Sequence, residues 1–208
     1  MNLLVISSFL AAFLLTRVTS LRTAVSILAF QSSVVAAACV VIGFETGQVH
    51  MYLAAVLTLL IKVGYIPFSL YKMVDRMRGE REDNPILGPN RSALASAFAI
   101  VLAYSLIDRA LPGIVTRDAL AASIALLLIG LLLIMTRRQA IMQIVGLITM
   151  ENGIYLLGLS VVRGLPLVIE FGIFLDILVA VIVLVVLTYR LKLSFLSTDT
   201  TQLRKLKG

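Results

Sequence analysis

Tryptophan is absent, and cysteine and histidine occur once each, as Cys39 and His50. A single thiol forms no disulfide within the chain and cannot ligate an iron–sulfur cluster, which takes several. One histidine cannot supply both axial ligands of a haem, and at the edge of an apolar run His50 reads as an interfacial residue rather than a metal ligand. There is no GxGxxG, no P-loop, no HExxH and no Ser/His/Asp set, so the common soluble-enzyme chemistries lack a sequence basis. No cofactor is expected in this chain, and any redox chemistry belongs to other proteins. Charge is scarce as well. Only 14% of the residues are charged, too few to solubilise the surface of a domain this size.

What is present is hydrocarbon. Sixty per cent of the 208 residues are hydrophobic, in runs of about 20 that each suffice to cross a bilayer core of roughly 30 Å as a helix. The expected fold is all-α, a polytopic membrane protein of about seven transmembrane helices near 3–17, 22–44, 50–72, 91–110, 118–136, 139–162 and 167–190. The start, Met1-Asn2-Leu3-Leu4, lacks the basic region of a signal peptide, and the first run is expected to be retained as a helix. Polar breaks punctuate the runs: 79–89 with two prolines, Leu111-Pro112-Gly113, and Gly164-Leu165-Pro166. Very short connections at 17–22 and at Arg137-Arg138 force antiparallel neighbours.

Basic residues are retained on the cytoplasmic side of a membrane, which sets the direction. With the N-terminus outside, Arg17, Arg22, Lys72, Arg76, Arg78, Arg81, Arg91, Arg137, Arg138, Arg190, Lys192, Arg204, Lys205 and Lys207 fall inside, fourteen of the eighteen basic residues. The outer loops keep Arg109, Arg117 and Arg163, and Lys62 falls within a span. The expectation is an N-out, C-in protein of the inner (plasma) membrane. Its net charge of +7 is explained by this bias and by anionic headgroups of the lipid bilayer, with no nucleic-acid partner. The long connection 73–90 mixes Asp75, Glu80, Glu82 and Asp83 with its basic residues; it is either a solvated linker or a docking segment.

Three ionisable residues fall deep inside spans: Lys62, Glu151 and Asp176. A charge at mid-bilayer costs on the order of 2.5–3.5 kcal/mol, so each needs a partner, a watery cavity or its neutral form, and function is the default reading. Desolvation penalises the charged state, which suits such a group to exchange protons. Glu151 lies near the centre of the sixth span, flanked by Asn152, with Tyr155 one turn away. Gly146 and Gly153 share a face and allow a neighbouring helix to come close. Asp176 stands about nine residues into the seventh span and is too short to reach the interface, whereas Glu170 can snorkel. The two acids belong to one hairpin, at depths differing by roughly 10 Å for a rise of ~1.5 Å per residue. Lys62, one turn before Pro67, is the basic member of the set. The alternative for Glu151 and Asp176 is a polar group that pins helix packing, and for Lys62 it is pairing with an acid of this chain or of a neighbouring subunit. Glu45 reads as interfacial.

The segment 143–208 resembles the three-helix subunit K of NADH:quinone oxidoreductase, through Gly146-Leu147, Met150-Glu151-Asn152, a second acid in the following helix and the tail Leu203 to Gly208. The whole chain, with Lys62 and Pro67 in its third span, Met150-Glu151-Asn152-Gly153 and the terminal Leu206-Lys207-Gly208, resembles hydrogenase-4 component E. The resemblance implies a four-helix membrane extension over 1–112 followed by a subunit K-like three-helix region with a cytoplasmic tail over 113–208. It also implies a non-catalytic membrane-arm subunit of a group 4 nickel–iron hydrogenase or a related complex I-like respiratory complex. Its partners would be antiporter-like membrane subunits, a hydrogenase membrane-anchor subunit and cytoplasmic redox subunits. Glu151 matches the first intramembrane glutamate of subunit K; Asp176 stands where that subunit has its second, shortened by one methylene. On this view Glu151, Asp176 and Lys62 relay protons or sodium ions, supported by Tyr155 and Asn152. Two other readings stand beside it: a purely structural subunit, and a stand-alone secondary transporter, for which inverted repeats are lacking.

Overall fold

The computed structural model describes residues 2–75, 81–82, 85–110 and 116–161, together with Gly172, Val179 and Val183. Each apolar run closes its own N–H to C=O ladder, the only solution for a backbone surrounded by hydrocarbon. α1 (Asn2–Arg17) turns into α2 (Leu21–Thr46), where Ser20 Oγ accepts from the Thr23 N–H at 3.5 Å and caps the first turn. α2 stops at Gly47, whose φ of 68° favours glycine and whose N–H reaches the Gly43 carbonyl at 2.9 Å. A third rod follows as α3 (Val49–Thr58), a π-helical segment (Leu59–Tyr65) and α4 (Ile66–Asp75). α5 (Pro89–Ala110), α6 (Arg117–Thr136) and α7 (Ala140–Val161) complete the described bundle.

Among the described residues, five rods are long and apolar enough to cross a membrane: Leu21–Thr46, Val49–Asp75, Pro89–Ala110, Arg117–Thr136 and Ala140–Val161. Leu3–Arg17 is apolar but shorter. The chain is a helical, multi-pass membrane protein. Of the expected span 167–190, only Gly172, Val179 and Val183 are described; all three are helical and buried, and the two valines join the main core.

The tightest packing is between α6 and α7, where glycine lets backbone touch backbone. A methyl group on Gly153 would stand 2.6 Å from Leu127 N, one on Gly146 would meet Ile134 N at 2.9 Å, and one on Gly130 would collide with the backbone of Met150. The main core joins residues of α1 to α4 with α6 and α7, for instance Leu15, Leu28, Ile66, Leu126 and Ile148. Outward faces carry large apolar side chains, such as Ile6, Leu10 and Leu14 at helical spacing on α1 and Leu94, Phe98 and Val101 on α5. Lipid tails, not water, suit such a surface.

One end of the bundle is tied by a buried ion pair. Arg137, between α6 and α7, is 1% exposed and donates through Nη1 to Glu82 Oε2 at 2.9 Å. Its Nη2 donates to the carbonyls of Thr16 (2.6 Å) and Leu15 (3.5 Å), free acceptors at the C-terminus of α1. Glu82 Oε1 in turn accepts from the N–H groups of Arg138 (2.8 Å) and Gln139 (3.1 Å), just before α7 begins. A carboxylate some fifty residues upstream thus caps that helix. Glu82 N–H bonds the Thr19 carbonyl and Ile86 N–H the Thr136 carbonyl, both at 2.9 Å. Arg22 and Asp75 pair at the same end. At Glu82 the 73–90 connection is therefore not a solvated linker, because the buried guanidinium needs a counter-ion where it lies, while Arg81 beside it is exposed.

Candidate functional site

Lys62 stands at the midpoint of the 27-residue rod Val49–Asp75, inside its π-helical turn. Pro67 explains why the turn is there. Proline has no N–H to donate and its ring crowds the carbonyl four residues earlier, so a regular α-turn fails around Val63. The wider ladder takes over, with Ile66 N–H reaching back five residues to the Ile61 carbonyl. Within it Leu59, Leu60 and Tyr65 face outward, while Lys62 turns into the bundle and is 1% exposed.

Glu151 sits at the middle of the 22-residue α7 and is 3% exposed. The structure brings it to Lys62: Nζ lies 3.3 Å from Glu151 Oε1 and donates to Asn152 Oδ1 at 3.1 Å. Consecutive residues of α7 therefore present an acid and an amide to one ammonium. Tyr155, one turn on, places its ring 5.8 Å from Lys62 Nζ, within reach of a cation–π attraction. Its hydroxyl accepts from Cys39 Sγ of α2 at 3.5 Å, and Gly172 packs directly against its ring. Of the five residues expected from sequence to form the site, four meet at half depth: Lys62, Glu151, Asn152 and Tyr155. The fifth, Asp176, lies outside the described residues, as does Glu170.

Three further polar residues join at the same depth. Asn152 Nδ2 donates to Gln31 Oε1 (3.3 Å) and to Ser32 Oγ (3.4 Å), both in α2, and Gln31 Nε2 donates to the Ser8 carbonyl of α1 at 3.2 Å. Gln31 and Ser32 went unnoticed in the sequence because uncharged side chains among alanines and valines read as ordinary helix. The signal available was an amide near the centre of a 26-residue apolar helix, where an unbonded amide is expensive.

A buried acid bonded to a buried base in an apolar bundle can hold a charge, pass a proton when one partner is neutralised, or pin three helices together. Among the described residues no group of three or more histidine, cysteine or acidic side chains forms a metal-ligand set. A separate cavity of about 300 Å³ between α1, α5 and α6 is lined by Val5, Phe9, Tyr104, Asp118 and Ala122, none of them part of the Lys62 network.

Comparison with known proteins adds the following. The chain is 31% identical over 202 residues to the uncharacterized protein Rv0085 of Mycobacterium tuberculosis, an alignment covering 95% of this chain and 91% of that protein. It is 29% identical over 149 residues to hydrogenase-4 component E of Escherichia coli, covering 71% of this chain and 69% of that one. The corresponding protein of Shigella flexneri matches to the same extent. No family model matches, and no solved structure does.

Proposed function

This chain belongs to one family with the uncharacterized mycobacterial protein, and from that premise we propose that it is a membrane-arm subunit of a hydrogenase-like, complex I-like respiratory assembly. The hydrogenase reading draws on the likeness to hydrogenase-4 component E across 71% of the chain. In it, the chain carries no redox group. It contributes intramembrane side chains to the translocation of protons or sodium ions, while antiporter-like, membrane-anchor and cytoplasmic redox subunits supply the rest. We further take it to lie N-out and C-in in the inner membrane, with its subunit K-like part over 113–208.

The observation that carries the proposal is the Lys62–Glu151 pair, buried at the middle of two membrane-length rods. A proton arriving at Glu151 neutralises it and weakens its hold on the ammonium; its departure restores the pair. Each change alters the local field by a full charge in a medium that screens poorly, so occupancy at one acid is felt at the next. Asp176 is the proposed next station.

The test is Glu151→Gln in the intact complex within membrane vesicles. Ion translocation is expected to fall by roughly a hundredfold, the lower end of what a positioned proton-transfer group supplies. Assembly and electron transfer to an artificial acceptor should persist. Full translocation by an assembled Glu151→Gln complex excludes the relay. The purely structural reading rests on one observation: at 3.3 Å the pair is already closed, as a packing pin would be. It predicts the opposite pattern, lost assembly with normal translocation in whatever complex remains.

A further inference from the structure

The half-depth layer holds more polar groups than an acid and a base require. Ser8, Gln31, Ser32 and Asn152 are completely buried, on three helices. Their bonds run in one line: Lys62 Nζ to Asn152 Oδ1, Asn152 Nδ2 to Gln31 Oε1, Gln31 Nε2 to the Ser8 carbonyl.

The chemistry of the two ends fixes the direction of everything between them. An ammonium has only donors, so Asn152 must offer its oxygen to Lys62 and turn its NH2 toward α2. A backbone carbonyl only accepts, so Gln31 must offer its NH2 to Ser8 and turn its oxygen toward Asn152. Neither amide can flip without losing a bond at both of its ends. Both side-chain dipoles therefore point their negative ends at Lys62, and each bond polarises the next in the same sense.

We propose that Gln31 is a positioning residue of the ion site: acting through Asn152, it holds the Lys62 ammonium against Glu151. This rests on the relay reading above. It makes α1 and α2 working parts of the site, since the chain of amides ends on the backbone of α1 and has its middle member in α2. A lysine carries a flexible four-carbon stem and rotates readily. Glu151 Oε1 attracts the ammonium without fixing its direction, and a rigid amide, itself anchored on two other helices, adds a directional hydrogen bond that does. Ser32 Oγ, at 3.4 Å from Asn152 Nδ2, is a weaker second support for the same amide.

The experiment uses the intact complex in membrane vesicles with four versions of the chain: unaltered, Gln31→Leu, Lys62→Met and both together. Gln31→Leu is expected to lower the ions moved per electron about tenfold, the effect of one buried hydrogen bond, with complex abundance and electron transfer unchanged. In the Lys62→Met background, Gln31→Leu should change nothing further, because the group it positions is gone. A general packing defect would lower translocation by the same factor in both backgrounds, and that result overturns the proposal. A second readout does not depend on translocation: solid-state nuclear magnetic resonance of nitrogen-labelled lysine in the same membranes, with the Lys62 signal identified by its loss in Lys62→Met. That signal should shift in Gln31→Leu and stay in place in Ser33→Ala, whose hydroxyl donates to the Ala29 carbonyl of its own helix. An unmoved Lys62 signal in Gln31→Leu also overturns the proposal. A shifted signal combined with normal translocation in Glu151→Gln supports the clamp and removes the relay, so the two failures are distinct. Where Gln31→Leu does not assemble, Ser32→Ala tests the same amide, with a smaller shift expected and no shift counting against the clamp.

Discussion

A lysine and a glutamate in an apolar interior are each expensive alone and tolerable together, so removing one strands the charge of the other. Lys62→Met is expected to cost about 3–5 kcal/mol of stability, and adding Glu151→Gln should recover part of that loss. Thermal unfolding of the full chain in lipid nanodiscs measures both, and strictly additive losses would show that the two groups are not coupled. That Lys62 and Glu151 sit at mid-span was legible, because hydrophobic runs count out depth residue by residue. Which acid Lys62 meets was not, since no periodicity relates side chains eighty-nine positions apart. Asn152 and Tyr155 could be named from their nearness to Glu151 along one helix, although Tyr155 turns its hydroxyl to Cys39, with its ring beside the ammonium. Asp176 belongs to the proposed path on sequence alone. Asp176→Asn in the complex should depress ion translocation as Glu151→Gln does, and an assembled variant that translocates normally removes it from the path.

The element that most determines the site is the π-helical turn Leu59–Tyr65. Each residue of an α-helix advances the side-chain direction by about 100°, so narrowing this turn to α-geometry would rotate Lys62 away from α7. Pro67→Ala restores the missing N–H and removes the clash that the wide turn avoids. We expect it to lower translocation nearly as far as Glu151→Gln does while the chain still inserts and assembles; an unchanged rate would show that the turn does not need the proline. Pro67 gave notice of an irregularity in the sequence. The seven-residue extent of the turn did not show, because one proline marks where a helix is disturbed and not how far the wide ladder runs. The α6–α7 contact was more open to reading. Gly146 and Gly153 at seven-residue spacing announced a close neighbour, and α6 supplies Gly130 to complete the approach. Gly153→Leu is expected to wedge the two helices apart at a cost of roughly 1–3 kcal/mol or more, measured as a lower unfolding temperature.

At the scale of the whole molecule, short connections and alternating basic residues were enough to predict antiparallel rods. The hydrogen bonds among Thr16, Thr19, Glu82, Thr136 and Arg137 do gather the turns at one end. The sequence could not tell that Arg137 and Glu82 leave water there, because charge next to a polar connection reads as solvated. Glu82→Ala strands a buried guanidinium and uncaps α7, and should lower the yield of assembled protein far more than Asp75→Ala, which breaks only the exposed pair with Arg22. Quantifying both in membranes checks the ranking. The Lys62 clamp has one further consequence, which belongs to biosynthesis. At roughly 5–20 residues per second, Asn152 leaves the ribosome about 5–20 s after Lys62 does, ninety residues later. For that interval the nascent third rod carries an ammonium while the acid and amide that will receive it do not yet exist, whereas Gln31 of α2 has already been made. The order of synthesis thus makes the later-made α7 a condition for the third rod to settle.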